Sequence, residues 1–174
     1  MKRLRRIALS VVVTFSLLAG AQQRDPLNDL ESDQLREAYD DPEKRIKLLL
    51  EFVQKRIQSV ESARTDTALK DDRGKVIHQR IDDFATLAES LEDNLDMFTR
   101  HRADLRKALV LVVPAYEDWI KRLKAIKDLT TEEERRPYEF ALQNAIEVSE
   151  DGLETARELV VKHKQMAEES KKKK

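Results

Sequence analysis

The region from residue 77 to residue 126 constrains the fold more than any other part of this chain. Its apolar residues recur at alternating steps of four and three, which is a heptad pattern. The pattern consists of Ile77, Ile81, Phe84, Ala88, Leu91, Leu95, Phe98, Leu105, Leu109, Val112, Tyr116, Trp119, Leu123 and Ile126. Arg102 interrupts it once, and the region contains no glycine and only one proline, Pro114, where we expect a kink. Such a long apolar face needs partner helices along its whole length, so the chain is predicted to be all-α.

Composition supports this fold class. Charged residues make up 39% of the chain, with three glycines and four prolines, a mixture typical of helical bundles and coiled coils. There is no cysteine, which excludes disulfides, thiolate catalysis and cysteine-ligated metals. One domain is predicted.

Residues 1–21 have the features of a secretory signal peptide: a basic start, an apolar core over 7–19, and Ala19-Gly20-Ala21 as a cleavage site. We expect cleavage between Ala21 and Gln22 and a periplasmic or secreted protein. The apolar core is shorter than the roughly 20 residues that span a bilayer, which favours a cleaved signal peptide over the alternative of an uncleaved anchor. No transmembrane span is expected in the mature chain. A linker and a short helix are predicted over 22–41, the bundle over 42–169, and a lysine tail over 170–174.

Charge argues against a nucleic-acid partner. Residues 1–21 hold four of the 33 basic residues and none of the 34 acidic ones, so the remainder carries 29 bases against 34 acids, a formal charge of −5. Binding to DNA or RNA without sequence preference requires a basic face.

An antiparallel bundle of four long helices is predicted, preceded by a short segment that forms one short helix or two turns and whose second half Ser32 could cap. The ranges of the four long helices are 42–66, 75–99, 104–128 and 131–168. Asp41 and Pro42 form a helix start, and Thr131 with Glu134 forms a capping box. Two arrangements of the middle pair fit the sequence: a turn at 99–104, or one continuous helix in the same heptad phase.

The last helix carries small residues at its core positions, including Ala145, Ser149 and Gly152. If 128–131 is a tight hairpin, Leu109 and Val112 lie opposite Gly152 and Ser149. On that register Gly152→Leu destabilises, whereas Gly152→Ala is near neutral because helix propensity and crowding oppose each other.

Two charged clusters are candidate sites. The spacing of Glu89, Glu92, Asp93 and Asp96 is similar to the acidic metal-binding motifs of PhoU-type phosphate-signalling bundles, but it is also typical of a solvated helix face, which we prefer. No catalytic residue, cofactor or metal is therefore predicted. The basic residues Arg100, Arg102, Arg106 and Lys107, with His101, can receive a carboxylate or phosphate group. His163, alone on a core position, is interpreted as a packing residue.

Residues 41–52, Asp-Pro-Glu-Lys-Arg-Ile-Lys-Leu-Leu-Leu-Glu-Phe, resemble a segment of uncharacterised exported helical proteins of bacteria. The resemblance implies export and helicity and no activity.

Neither a nucleophile motif nor a phosphate-binding glycine loop is present in the sequence, so an enzyme is not expected. The chain is predicted to act by binding, as a scaffold, adaptor or chaperone-like protein. Its partner would be another copy or an envelope component. The alternative is a carrier that holds a lipid or cofactor between the small residues of 145–156 and Pro114.

Overall fold

The computed structural model describes residues 25–172. This part of the chain forms six α-helices and no strand. The helices are α1 (Asp29–Glu37), α2 (Pro42–Thr65), α3 (Arg73–Arg100), α4 (Arg106–Asp128), α5 (Glu132–Arg135) and α6 (Glu139–Lys172), with a 3₁₀ segment over Thr67–Asp72 between α2 and α3. The predicted signal peptide, its cleavage site and the last two lysines of the tail lie outside the described residues.

Helices α2, α3, α4 and α6 form a four-helix bundle, which confirms the predicted fold class. Both α2 and α6 pack against α3 and against α4, so α3 and α4 occupy opposite corners. Consecutive helices run antiparallel. The neighbours α3 and α6 run parallel, because Glu92 contacts Thr155 and, further along both helices, Thr99 contacts His163.

The link between α3 and α4 crosses one end of the bundle, which we call the crossover end. Helix α3 ends in a Schellman motif, in which the amides of Arg102 and Ala103 donate to the carbonyls of Thr99 and Phe98. Arg102 adopts a left-handed conformation with φ 59°. Of the two arrangements that fit the sequence, the turn is therefore the one formed.

Two of the predicted helix N-caps are present in the structure, at Asp41 and at Thr131. The Asp41 carboxylate accepts from the amide of Lys44, and Thr131 and Glu134 form the expected capping box, although it caps only the short α5. At α1 the cap is Asn28, not Ser32. Asn28 and Glu31 form a reciprocal capping box at the start of one continuous helix, so Ser32 lies inside the helix.

Aromatic side chains join opposite corners of the core. Trp119 of α4 makes edge-to-face contacts with Phe84 of α3, at 5.8 Å between ring centroids, and with Tyr116, at 5.1 Å. The Trp119 indole donates to Gln54 of α2, and the Tyr116 hydroxyl donates to the Ala88 carbonyl of α3. Both rings are at most 1% exposed.

The predicted register between α4 and the last helix is wrong. Tyr116, rather than Leu109 or Val112, lies against Gly152, and a Cβ atom added at Gly152 would lie 2.5 Å from Cζ of Tyr116. The reason is the length of the link. Helix α5 and a break at Pro137 separate α4 from α6, so the hairpin is not tight and the facing positions shift.

Candidate functional site

The predicted basic cluster lies at the crossover end, and three of its four members are paired within the chain. Arg100 contacts Asp96, and Arg106 donates from Nε to Asp104 at 2.8 Å. Hydrogen bonds from Arg106 lower the pKa of the Asp104 carboxyl.

Lys107 lies 3.8 Å from Glu43 of α2. The hydrogen bond from Lys47 and, secondarily, the charge of Lys107 lower the pKa of Glu43. These acidic partners are exposed, and exposed pairs contribute only about 0–1 kcal/mol each. A ligand carboxylate could therefore replace them at little cost.

His163 is buried beside this cluster. It is 3% exposed, and its Nε2 lies 3.2 Å from Oγ1 of Thr99. Burial lowers the pKa of His163, with Lys162 and Arg106 acting in the same direction and Asp104 opposing them. The hydrogen bond and the burial give His163 a packing role, as expected from the sequence.

The acidic cluster on α3 is dispersed among separate partners. Glu92 accepts from Thr155 of α6 at 2.8 Å, and Asp96 contacts Arg100, whereas Glu89 and Asp93 are exposed. Within the described part of the chain, no three histidine or acidic side chains are placed to hold a metal ion.

Helix α4 exposes a stripe that we call the α4 outer face, which consists of Lys107 and the apolar residues Val110, Leu111 and Pro114. Val110 is 72% exposed and Leu111 44% exposed, although the opposite face of α4 is fully buried. Their spacing of three, four and seven places these residues on one side of the helix. Val161, on the exposed side of α6, is also 56% exposed.

The α4 outer face could be foreseen only in part. In the sequence, residues 108–115 are apolar on all sides except at Pro114, which predicts a helix that needs covering on several sides. The sequence does not reveal which side the bundle leaves uncovered, since that depends on the positions of α2 and α6.

At Gly152 the space between α6 and α4 is filled by Tyr116. The Tyr116 ring, with 0% exposure, packs onto Gly152, and Ser149 hydrogen-bonds to its own helix at the Ala145 carbonyl. Burial raises the pKa of Tyr116.

Comparison with protein-family models, with curated proteins and with solved structures finds no match to this chain. Among the helices described, none is both long enough and apolar enough to cross a membrane.

Proposed function

We propose that this protein is exported and acts without catalysis, by binding another protein through the α4 outer face. The observation that carries the proposal is the exposure of Val110 and Leu111 on a helix whose other side is already buried in a complete core.

The exposed stripe has the form of a helix-docking surface. Positions 107, 110, 111 and 114 follow the spacing at which one helix presents anchors to another. Exposed apolar side chains that lie together offer a surface for a partner to cover, because burying them removes that surface from water. The buried contacts of α4 come from its other side, where Leu109, Val112 and Tyr116 are among the buried residues.

Charge at one end of the stripe favours an acidic partner segment. The side chain of Lys107 is 84% exposed, and Arg102, in the link that precedes α4, is also exposed. An amphipathic helix with an acidic residue near this end would pair with both cations, which would fix its direction on α4.

The carrier alternative gains no comparable support. It requires space beside Gly152, and Tyr116 occupies that space.

Native mass spectrometry of protein taken from producing cells tests the proposal. We expect a complex whose added mass is that of a second protein, and the double substitution Val110→Glu with Leu111→Glu should abolish it. A matched control, Leu129→Glu with Phe140→Glu, places the same charges on residues 73% and 89% exposed at the other end of the bundle. The control should keep the complex. A small added mass that disappears on denaturation would favour the carrier, and loss of the complex in both variants would refute the assigned face.

A further inference from the structure

A second surface feature lies at the end of the bundle opposite the crossover. An open cleft of about 480 Å³ separates the end of α2 and the start of α3 from the link between α4 and α6. Arg64 and Arg73 line it, together with Lys75 and the acidic residues Asp71, Glu133 and Glu134.

The two arginines differ from every other half-buried arginine in the described part of the chain. Each has an Nε atom that is shielded from water and has no hydrogen-bond acceptor, and neither guanidinium has an ion-pair partner among the described residues. The remaining half-buried arginines all have acceptors; they are Arg45, Arg56, Arg80, Arg122 and Arg135. Both exceptions therefore occur in one cleft.

The nearby acids do not satisfy these donors. The Glu134 carboxylate already accepts from the amide and hydroxyl of Thr131. Those hydrogen bonds lower the pKa of Glu134, and the charges of Arg64 and Arg73 lower it further. Both guanidinium groups are thus close enough to act on Glu134 without contacting it.

Packing holds the cleft in shape. A Cβ atom added at Gly74 would lie 2.8 Å from Cβ of Pro137, so the start of α3 is pressed against the link that leads into α6. Nδ1 of His78 lies 3.0 Å from the Pro137 carbonyl oxygen. These contacts fix Arg73 beside the link.

A buried donor without an acceptor is costly, and a bound water, ion or ligand that supplies the acceptor removes that cost. The planar guanidinium group matches the oxygens of carboxylate and phosphate groups. We propose that this cleft binds a small molecule bearing one carboxylate or phosphate group, held by Arg64 and Arg73. The three acids on its walls offset the positive charges and disfavour a polyanion.

The direct test is an NMR titration of the arginine Nε–H signals in the full chain. Inorganic phosphate and acetate are the probes, each compared with sodium chloride at equal ionic strength. We expect saturable shifts of the Arg64 and Arg73 signals with at least one probe, and the stronger probe identifies the preferred group. The signal of Arg157, which is exposed and paired with Glu117, should not saturate. Shifts absent with both probes, or equal to those in chloride, would overturn the proposal.

Variants give an independent readout. Arg64→Gln and Arg73→Gln should each weaken binding of the effective probe by roughly tenfold or more, whereas Arg157→Gln should leave it unchanged. A ligand-binding arginine is left unsatisfied in the free protein, so Arg64→Met should raise the melting temperature measured without the probe. The same substitution should remove the increase in melting temperature that the probe causes in the parent protein. An Arg64→Met protein that melts lower and is still stabilised by the probe would assign Arg64 a structural role and contradict the proposal.

Discussion

Gly152 is packed more tightly than Gly74, the other glycine in the described part of the chain. A Cβ atom there would lie 2.5 Å from Cζ and 2.6 Å from Cε1 of Tyr116, well inside van der Waals contact. The ring cannot swing away easily, because it is fully buried, its hydroxyl donates to the Ala88 carbonyl, and Trp119 packs against it. Gly152 therefore gives Tyr116 room to reach across the bundle to α3.

Gly152→Ala is accordingly expected to destabilise the protein, in contrast to the near-neutral result expected from sequence. The gain in helix propensity is about 1 kcal/mol, and the overpacking cost of about 1–3 kcal/mol exceeds it. Urea unfolding measures the difference, with Asp151→Ala as the exposed control, which should change stability by less than about 0.5 kcal/mol. Because the added Cβ atom clashes with Tyr116, Gly152→Ala should destabilise the Tyr116→Leu variant less than it destabilises the parent protein.

Arg102 is a second residue whose backbone determines its effect. Left-handed conformations cost a non-glycine residue about 1–2 kcal/mol, and Arg102 occupies the position of a Schellman motif where glycine is preferred. Arg102→Gly should therefore raise the free energy of unfolding by up to about 1 kcal/mol, after allowance for the greater flexibility of unfolded glycine. Arg102→Ala removes the same side chain but keeps the strain, so it should give no such gain. Equal stabilities in urea for these two variants would contradict the backbone explanation.

Helix α1 is attached to the bundle by two arginines of α2. Arg56 donates to the buried Glu31 and to the Pro26 carbonyl, and Arg45 donates to the Leu35 carbonyl and to Asn94 of α3. Burial alone would raise the pKa of Glu31. The hydrogen bond from Arg56, with the amide of Asn28, outweighs burial, and the pKa is lowered.

Glu31→Ala should release α1 selectively. The change leaves Arg56 without its anion, and breaking a buried pair costs about 3–5 kcal/mol, an upper bound here because Arg56 is 15% exposed and keeps the Pro26 carbonyl. Hydrogen exchange should accelerate in α1 and stay unchanged in α3 and α6. Asp33→Ala removes an exposed pair with Arg36 and is the matched control. Protection of α1 that survives Glu31→Ala would show that Leu35 and Ala38 hold the helix by apolar contact alone.

Local patterns explain which elements could be predicted. Caps such as Asp41 and Thr131 act on their own turn, so their residues are visible in sequence. The heptad phase is the same whether α3 and α4 are neighbours or opposite, and so it does not reveal the diagonal link. The register of α4 against α6 depends on the link over 129–138. The uncovered side of α4 and the meeting of Arg64 with Arg73 depend on how distant elements assemble.

For the whole molecule, buried His163 makes stability depend on pH. Burial lowers its folded-state pKa below the unfolded value, near 6.5. At pH values between the folded and unfolded pKa of His163, the unfolded state binds more protons than the folded state. The contribution of His163 to the free energy of unfolding is therefore full above about pH 6.5 and decreases as the pH falls toward the folded pKa. Glu31 and Glu61, whose pKa values are lowered, act in a separate window: their contribution is lost only below the ordinary carboxyl pKa.

His163→Gln should reduce the loss of stability on acidification from neutral pH to about pH 5, even if the variant is less stable at neutral pH. Urea melts across this range measure the slope, and His101→Gln, at an exposed position, should keep the slope of the parent. A parental slope in His163→Gln would mean that another group governs this window.

If the bundle acts through the uncovered face of α4, site-specific photo-crosslinking in living cells should capture its partner there. A benzoylphenylalanine at position 110 should form an adduct with another protein, and Leu111→Glu in the same chain should abolish it. The same group at Gln143, exposed on α6, should form no such adduct. Three results would show that the α4 outer face does not bind another protein: no adduct at position 110 of a folded protein, equal adducts at 110 and 143, or adducts only with a second copy of this chain.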